Sequence, residues 1–307
     1  MKIQANAKIN LTLDILGKRP DGYHDLVMIM QSVGLHDVVT VNLNDSDRIS
    51  VKSEIGLHDE KVKSISALPA DDESNIAYKA AKAFFDYAAI EGQGVSIGIE
   101  KNIPMEAGMA GGSADGAAVI VALNRLCGTD YSDAQLWEIG VKVGADIPFC
   151  ITGGTMLSEG KGEILSPLPR LADFAAPPVI LLCKPEVGVS TGKAYGAVDG
   201  CDPSRIVRPD TEGMRSALAA QDSKRLAACL GNVFEQVLQI AECEHIKDVM
   251  REKGGALGAC MTGSGTTVFG IFDDEDKAAS CAALLKKEYA KVYLTRAESC
   301  GCKEIPE

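Results

Sequence analysis

Apolar and polar residues alternate from the start of the chain, with Ala5, Ala7, Ile9, Leu11 and Leu13 at every second position of QANAKINLTLDIL. Successive side chains of a strand point to opposite faces, so this period predicts a half-buried strand. Gly17-Lys-Arg-Pro-Asp-Gly22 predicts a turn, and LVMIMQSVGL and DVVTVNL behind it are strand-like. Residues 44–72 are polar and irregular, with short β-prone pieces. Asp72-Glu-Ser-Asn-Ile-Ala predicts a helix start, with Ser74 as N-cap and Ile76, Ala80, Ala83, Phe84 and Tyr87 on one face. Val95, Ile97 and Ile99 alternate in the strand VSIGIE, and AAVIVALNRL reads as a helix. The next helix has Ser132 as N-cap, Gln135 completing a capping box, and an end near Gly144.

Further on, Gly153-Gly154 separates two β-like pieces, and Val179–Cys183 is a short apolar strand. Residues 198–212, with two prolines, predict a connection, and helical patterns dominate from Arg215 to Lys253. GGALGACMTGSGTTVFGIF reads as a loop and a strand, followed by a helix over 274–289 and the strand KVYLTRA. The mix is α+β, strand-rich early and helix-rich later. We place a domain boundary between residues 160 and 161, although no flexible linker marks it.

The strongest local signal lies between the strand VSIGIE and the helix behind it. Pro104-Met-Glu-Ala-Gly108-Met-Ala-Gly111-Gly112-Ser113 puts three glycines and a serine directly ahead of an apolar helix. Glycine lets backbone approach a ligand closely, and a helix start offers unpaired N–H groups and the positive end of its dipole. Together these suit a phosphate. The segment has neither the Lys-Ser or Lys-Thr of a Walker A loop nor the position of a Rossmann turn in a first βα unit.

Composition restricts what else the chain can do. Of 307 residues 46% are apolar and 24% charged, as in a globular protein, and no apolar run reaches a membrane span. The opening MKIQANAKIN lacks the apolar core of a secretory signal, so a cytoplasmic location is expected. A net charge of −12 argues against nucleic acid or an anionic membrane as partner. A polyphosphate must then be held by local amides, a few lysines and a metal ion. The ten cysteines are scattered, with only Cys300 and Cys302 close together and no histidine at ligand spacing, so reduced, mostly buried thiols are expected.

Three separated segments, AKINLTL, PMEAGMAGGSADGAA and GACMTGSGTTVFG, resemble in order and spacing the three motifs of the GHMP kinase superfamily. The resemblance spans essentially the whole chain. It implies a two-domain α+β fold with the active site in the cleft between domains, an ATP-binding N-terminal domain over 1–160 and a C-terminal domain over 161–307. GKRPDGYH at 17–24 and Gly144-Ala-Asp146-Ile-Pro-Phe149 resemble one branch of the superfamily. That branch phosphorylates the 2-hydroxyl of a cytidine-diphosphate-linked methylerythritol in non-mevalonate isoprenoid synthesis.

By this resemblance Asp146 is the base and Lys8 its partner. Residues 104–113 (Pro104, Met105, Glu106, Ala107, Gly108, Met109, Ala110, Gly111, Gly112 and Ser113) hold ATP, with Gly263 and Ser264 closing the site. Asn10, on the same strand face as Lys8, reaches the cleft to orient the substrate. Tyr23 stacks on the cytosine and His24 bonds its amine and ring nitrogen, while Tyr195 and Thr191 complete the acceptor site. Mg²⁺ is implied, but the superfamily's acidic metal ligand has no clear counterpart, and Glu106 stands where a small or neutral residue is usual. Glu106 is expected to face solvent or assist a metal. Two other readings are another small-molecule kinase of the superfamily, acting on mevalonate or homoserine, and a non-catalytic nucleotide-binding regulator. The oligomeric state is not legible in the sequence.

Overall fold

A computed structural model describes residues 1–56 and 68–306. The centre of the irregular stretch at 44–72 therefore lies outside the described residues. Twelve strands appear among those described: β1 (Lys2–Lys18), β2 (His24–Asn44), β3 (Ile49–Ile55), β4 (Gly94–Lys101), β5 (Thr155–Gly160) and β6 (Ile164–Pro167), then β7 (Val179–Lys184), β8 (Gly231–Asn232), β9 (Gly258–Met261), β10 (Val268–Phe272), β11 (Lys291–Arg296) and β12 (Cys302–Ile305). The helices are α1 (Ile76–Ala88), α2 (Gly111–Leu126), α3 (Asp133–Val141), α4 (Ile147–Thr152) and α5 (Thr191–Asp199), then α6 (Thr211–Ala220), α7 (Ser223–Ala228), α8 (Val233–Leu238), α9 (Ala241–Asp248) and α10 (Glu275–Leu285).

Two sheets organise these elements. The larger runs β12-β1-β2-β4-β3, with β5 and β6 joined through β2 and β8 against β1. The smaller is β11-β7-β10-β9, all antiparallel. Helices α1 to α4 pack together behind the larger sheet, with α2 against β1 and β2, while α9 and α10 cover the smaller one. The α+β class holds. The 160/161 division falls inside the β5–β6 hairpin, and β8 and β12 return from downstream to the larger sheet.

Strand β1 differs from its prediction in one respect that shapes the site. Its apolar residues Ala5 to Leu13 are buried, but so are Asn6, Lys8, Asn10 and Thr12 on the other face. The polar face is covered by downstream segments: Cys300 O accepts from Asn6 Nδ2 at 2.9 Å, and Thr262 Oγ1 accepts from the Asn10 amide at 2.9 Å. Pairing with β2 shifts register between Asn6 and Ala7 and again between Asn10 and Thr12. Such bulges bend a strand and re-aim its side chains, and here they bracket Lys8.

Four local expectations are corrected. Asn75, not Ser74, caps α1, because its side-chain oxygen accepts from the Ala77 amide at 2.9 Å. The piece ahead of Gly153 is helix α4, not a strand. A short apolar run has no decisive period, and Pro148 in the first turn pre-sets the helical φ. The segment read as a loop and one strand is the hairpin β9–β10, and β12 follows the strand taken as last. Ser132 caps α3 as expected, its amide donating to Gln135 Oε1 at 3.1 Å.

Candidate active site

The loop at 104–110 is held at its base by three buried ionisable side chains. Lys101, at the end of β4, donates to Asp37 of β2 and, at 2.6 Å, to Asp115 in the first turns of α2. Asp37 also accepts from the amides of Asn102 and Ile103 at 2.5 and 2.8 Å, so the residues leading into the loop are fixed. Burial pushes the Asp115 carboxyl up to about 8 against the pull of Lys101, and Asp37 adds to the rise. Although burial works against its charge, Asp115 and Asp37 hold the Lys101 ammonium above its ordinary value. None of the three was identified from sequence.

The loop is also docked from two sides through its backbone. Met109 O accepts from the Lys8 amide at 3.2 Å, and Ala107 O accepts from the Thr267 amide at 3.4 Å. Gly108 has φ +71°, and a Cβ there would lie 2.3 Å from Thr262 O. Gly263 faces it with φ +55°, its hypothetical Cβ 2.6 Å from Gly108 O. The two glycine turns thus meet backbone to backbone, which no larger residue permits. Asn232 pins the second turn by donating to Met261 O at 2.7 Å and Gly263 O at 2.9 Å. Gly108→Val is expected to force the turns apart and lower stability by about 1–3 kcal/mol, measured as a shift in the urea midpoint.

Beside these turns opens a cavity of about 900 Å³. Lys8, Asp146, residues 104–113, Gly263, Ser264, Tyr23, His24, Thr191 and Tyr195 all line it. Of the residues singled out in the sequence, Asn10 alone does not. It is fully buried, and its Oδ1 accepts from Lys8 Nζ at 2.7 Å and from the Gly263 amide at 3.0 Å. Strand alternation puts Asn10 on the Lys8 face as expected, but the second glycine turn covers it. In this structure Asn10 bonds Lys8 and that turn and is not among the residues lining the cavity.

Lys8 is 5% exposed and bonded to Asn10; among the described residues no ion pair within 4.0 Å joins it to Asp146. Asp146 is half-buried at the start of α4, between the turn that ends α3 and Pro148. Glu106, with φ +50°, is exposed, and its Oε2 would lie 3.1 Å from a Cβ on Gly188.

Aromatic rings crowd the other end. The rings of His24 and Tyr195 stack at 4.6 Å and 22°, and Phe234 meets Tyr195 edge-on at 5.0 Å. Tyr23 is 61% exposed, with Lys161 Nζ 4.6 Å from its ring centroid. Burial first, and then the charge of Asp146, push the Tyr195 hydroxyl up to about 12, so the aromatic end and Asp146 share one electrostatic environment. His24 Nε2 lies 2.7 Å from Asp199 Oδ1, and Lys18 Nζ 2.5 Å from Asp199 Oδ2. Lys18 and then His24 hold the Asp199 carboxyl below the usual carboxylate range. Lys18, Lys161, Asp199 and Phe234 also line the cavity; Lys18 lies within the GKRPDGYH segment without having been given a role, and no sequence signal marked the other three.

The cavity lining bears on metal binding. Among the described residues no group of three or more His, Cys, Asp or Glu could hold a metal by itself. Mg²⁺ usually keeps several waters and takes one or two protein oxygens beside substrate phosphates, so the Ser113 hydroxyl and the Asp146 carboxylate on the lining fit it. All ten cysteines are free thiols, five of them buried and five partly buried. No helix among the described residues is long and apolar enough to cross a membrane.

A glycine-rich cradle closed by a second glycine turn, with a carboxylate and a lysine at its edge, defines a GHMP kinase, an ATP-dependent small-molecule kinase. The model of the GHMP kinases N terminal domain matches residues 75–154, and that of the GHMP kinases C terminal matches 214–291. The chain is 41% identical over 298 residues to a 4-diphosphocytidyl-2-C-methyl-D-erythritol kinase of Clostridium tetani, covering 96% of this chain and 99% of that protein. It is 43% identical over 298 residues to the same-named kinase of Acetivibrio thermocellus, covering 96% and 98%. A crystal structure of 4-(cytidine 5'-diphospho)-2C-methyl-D-erythritol kinase superposes with a TM-score of 0.76 at 29% identity, covering 97% of this chain and 99% of that one. A homoserine kinase of Cytophaga hutchinsonii superposes at 0.75 but is 20% identical, which speaks for the fold alone. The chain belongs to the 4-diphosphocytidyl-2-C-methyl-D-erythritol kinase family.

Proposed function

We propose that the chain transfers the γ-phosphate of ATP to the 2-hydroxyl of 4-diphosphocytidyl-2-C-methyl-D-erythritol, a step of non-mevalonate isoprenoid synthesis. One observation carries this reading: the phosphate cradle, Asp146 and the aromatic end built from Tyr23, His24 and Tyr195 line a single cavity. Phosphoryl transfer needs little covalent help from protein; it needs positioning and charge neutralisation. Backbone amides of 107–113 and the start of α2 would hold the triphosphate, with Gly263 and Ser264 closing over it. The functional division we favour keeps this cradle in residues 1–160 and its cover in 161–307.

Asp146 would accept the proton of the attacking hydroxyl. Lys8, held by Asn10 and not by Asp146, keeps N–H groups free for the γ-phosphate or the hydroxyl oxygen. Mg²⁺, held chiefly by the nucleotide with Ser113 and Asp146, would supply neutralisation of charge on the phosphates. Thr191, whose Oγ1 lies 3.3 Å from Ser264 Oγ, joins the acceptor side to the second glycine turn. With −12 net charge we expect no nucleic-acid partner, and we place the enzyme in the cytoplasm.

ADP release with Mg²⁺, using the cytidine compound, mevalonate and homoserine as acceptors, tests the reading. Turnover confined to the cytidine compound supports it, and turnover with either other acceptor overturns it. Tyr23→Ala is expected to raise KM for the cytidine compound about tenfold with kcat near wild type, because base–aromatic stacking contributes about 1–3 kcal/mol. An unchanged KM would remove Tyr23 from the acceptor site.

A further inference from the structure

The hold of α5 on His24 constrains chemistry as well as position. Tyr195 and Asp199 stand four residues apart on that helix and so share a face. Tyr195 covers the imidazole ring, and Asp199 meets its Nε2 at 2.7 Å while also holding Lys18. A carboxylate has no proton to give, so Nε2 is the donor and carries the hydrogen. In the neutral ring the other nitrogen, Nδ1, is then an acceptor. Among the described residues Nδ1 has no hydrogen-bond partner, although the His24 side chain is only 8% exposed and lines the cavity.

We propose that Asp199 is a specificity-determining positioning residue: it fixes His24 with the proton on Nε2, so that Nδ1 accepts from the 4-amino group of a cytosine and disfavours the 4-oxo group of a uracil. The inference rests on the cytidine-diphosphate acceptor proposed above. A 4-oxo group in that place sets lone pair against lone pair and leaves a buried acceptor without a donor, a mismatch that binding sites reject strongly. Without Asp199 the ring is free to carry its proton on Nδ1 and donate to a 4-oxo base. The stacking surfaces of Tyr23 and Tyr195 would be unchanged, so discrimination falls more than affinity for pyrimidines in general.

Calorimetric Kd values for CDP and UDP, measured on the wild-type chain, Asp199→Ala and Asp199→Glu, test this without relying on turnover. The wild type is expected to prefer CDP, and D199A to lose about tenfold of that preference, mainly through weaker CDP binding. D199E keeps a carboxylate acceptor and is expected to recover part of the loss. In kinetics with the cytidine compound, D199A is expected to raise KM with kcat near wild type. If D199A weakens CDP and UDP equally, or keeps the wild-type ratio, the role of Asp199 is overturned and the proposed function stands. If the wild type itself does not prefer CDP, the role of Asp199 is likewise overturned, and the proposed function is decided separately by the acceptor-turnover test.

Discussion

Asp146→Asn is expected to lower kcat by roughly 10²–10⁴-fold while leaving ATP affinity near the wild-type value. Two elements fix this side chain: the turn ending α3 at Gly144 and the proline-started helix α4. Its position therefore does not depend on its charge, and the isosteric amide should keep it. Among the described residues no hydrogen bond ties Asp146 to the loop at 104–113, so removing the charge leaves the cradle intact. What is lost is the acceptor for the hydroxyl proton, together with the negative charge this side chain would offer to nucleotide-held Mg²⁺. Single-turnover phosphoryl transfer, set beside equilibrium nucleotide binding, separates the two effects. Near-wild-type transfer would show that Asp146 is not the base and would direct attention to Lys8.

Lys101→Met is expected to cost on the order of 3–5 kcal/mol, because it removes the one cation bonded to both buried side chains and leaves the Asp37 carboxylate without a counter-ion. The loss should be visible as a large fall in denaturant midpoint and a rise in KM for ATP, since Asp37 also holds the residues leading into the cradle. The same cluster carries a pH dependence. The folded-state value of Asp115, about 8, lies above its ordinary 3.8, so the native chain binds this proton more tightly than the unfolded one. Its contribution is present in full below pH 3.8 and is lost as pH rises toward 8. Lys101, shifted upward from 10.5, contributes its own dependence only above that window. Asp115→Asn should therefore flatten the decline in stability between these limits; a decline of undiminished slope would exclude Asp115 as its source.

The site was legible in the sequence where function demands a local backbone pattern. Three glycines ahead of an apolar helix mark a close-approach loop within a dozen residues, and the alternation around Lys8 marks the strand. The polar face of that strand hid its burial, because Thr262, Gly263 and Cys300 cover it only through tertiary contact. Lys101, Asp37 and Asp115 escaped for the same reason: each reads alone as an ordinary charged residue, and only folding makes them a cluster. Asp199 and Lys18 are brought together across 181 positions of sequence, which no spacing rule detects. Helix α4 was missed because six mostly apolar residues have no decisive period, and β12 because Cys302–Ile305 is short and mixed.

That last strand ties the two extremities of the described chain together. Ile305 pairs with Lys2 and Cys302 with Ala5, on the opposite edge of β1 from β2. The strand that bears Lys8 is therefore made well before β12, the outer neighbour that pairs with it. Until then the leading stretch of β1 presents unpaired amides and carbonyls to any passing strand. A nascent or clipped chain without residues 302–305 would carry a sticky seam along the strand that bears Lys8. Pairing with β12 closes that seam from within the same chain.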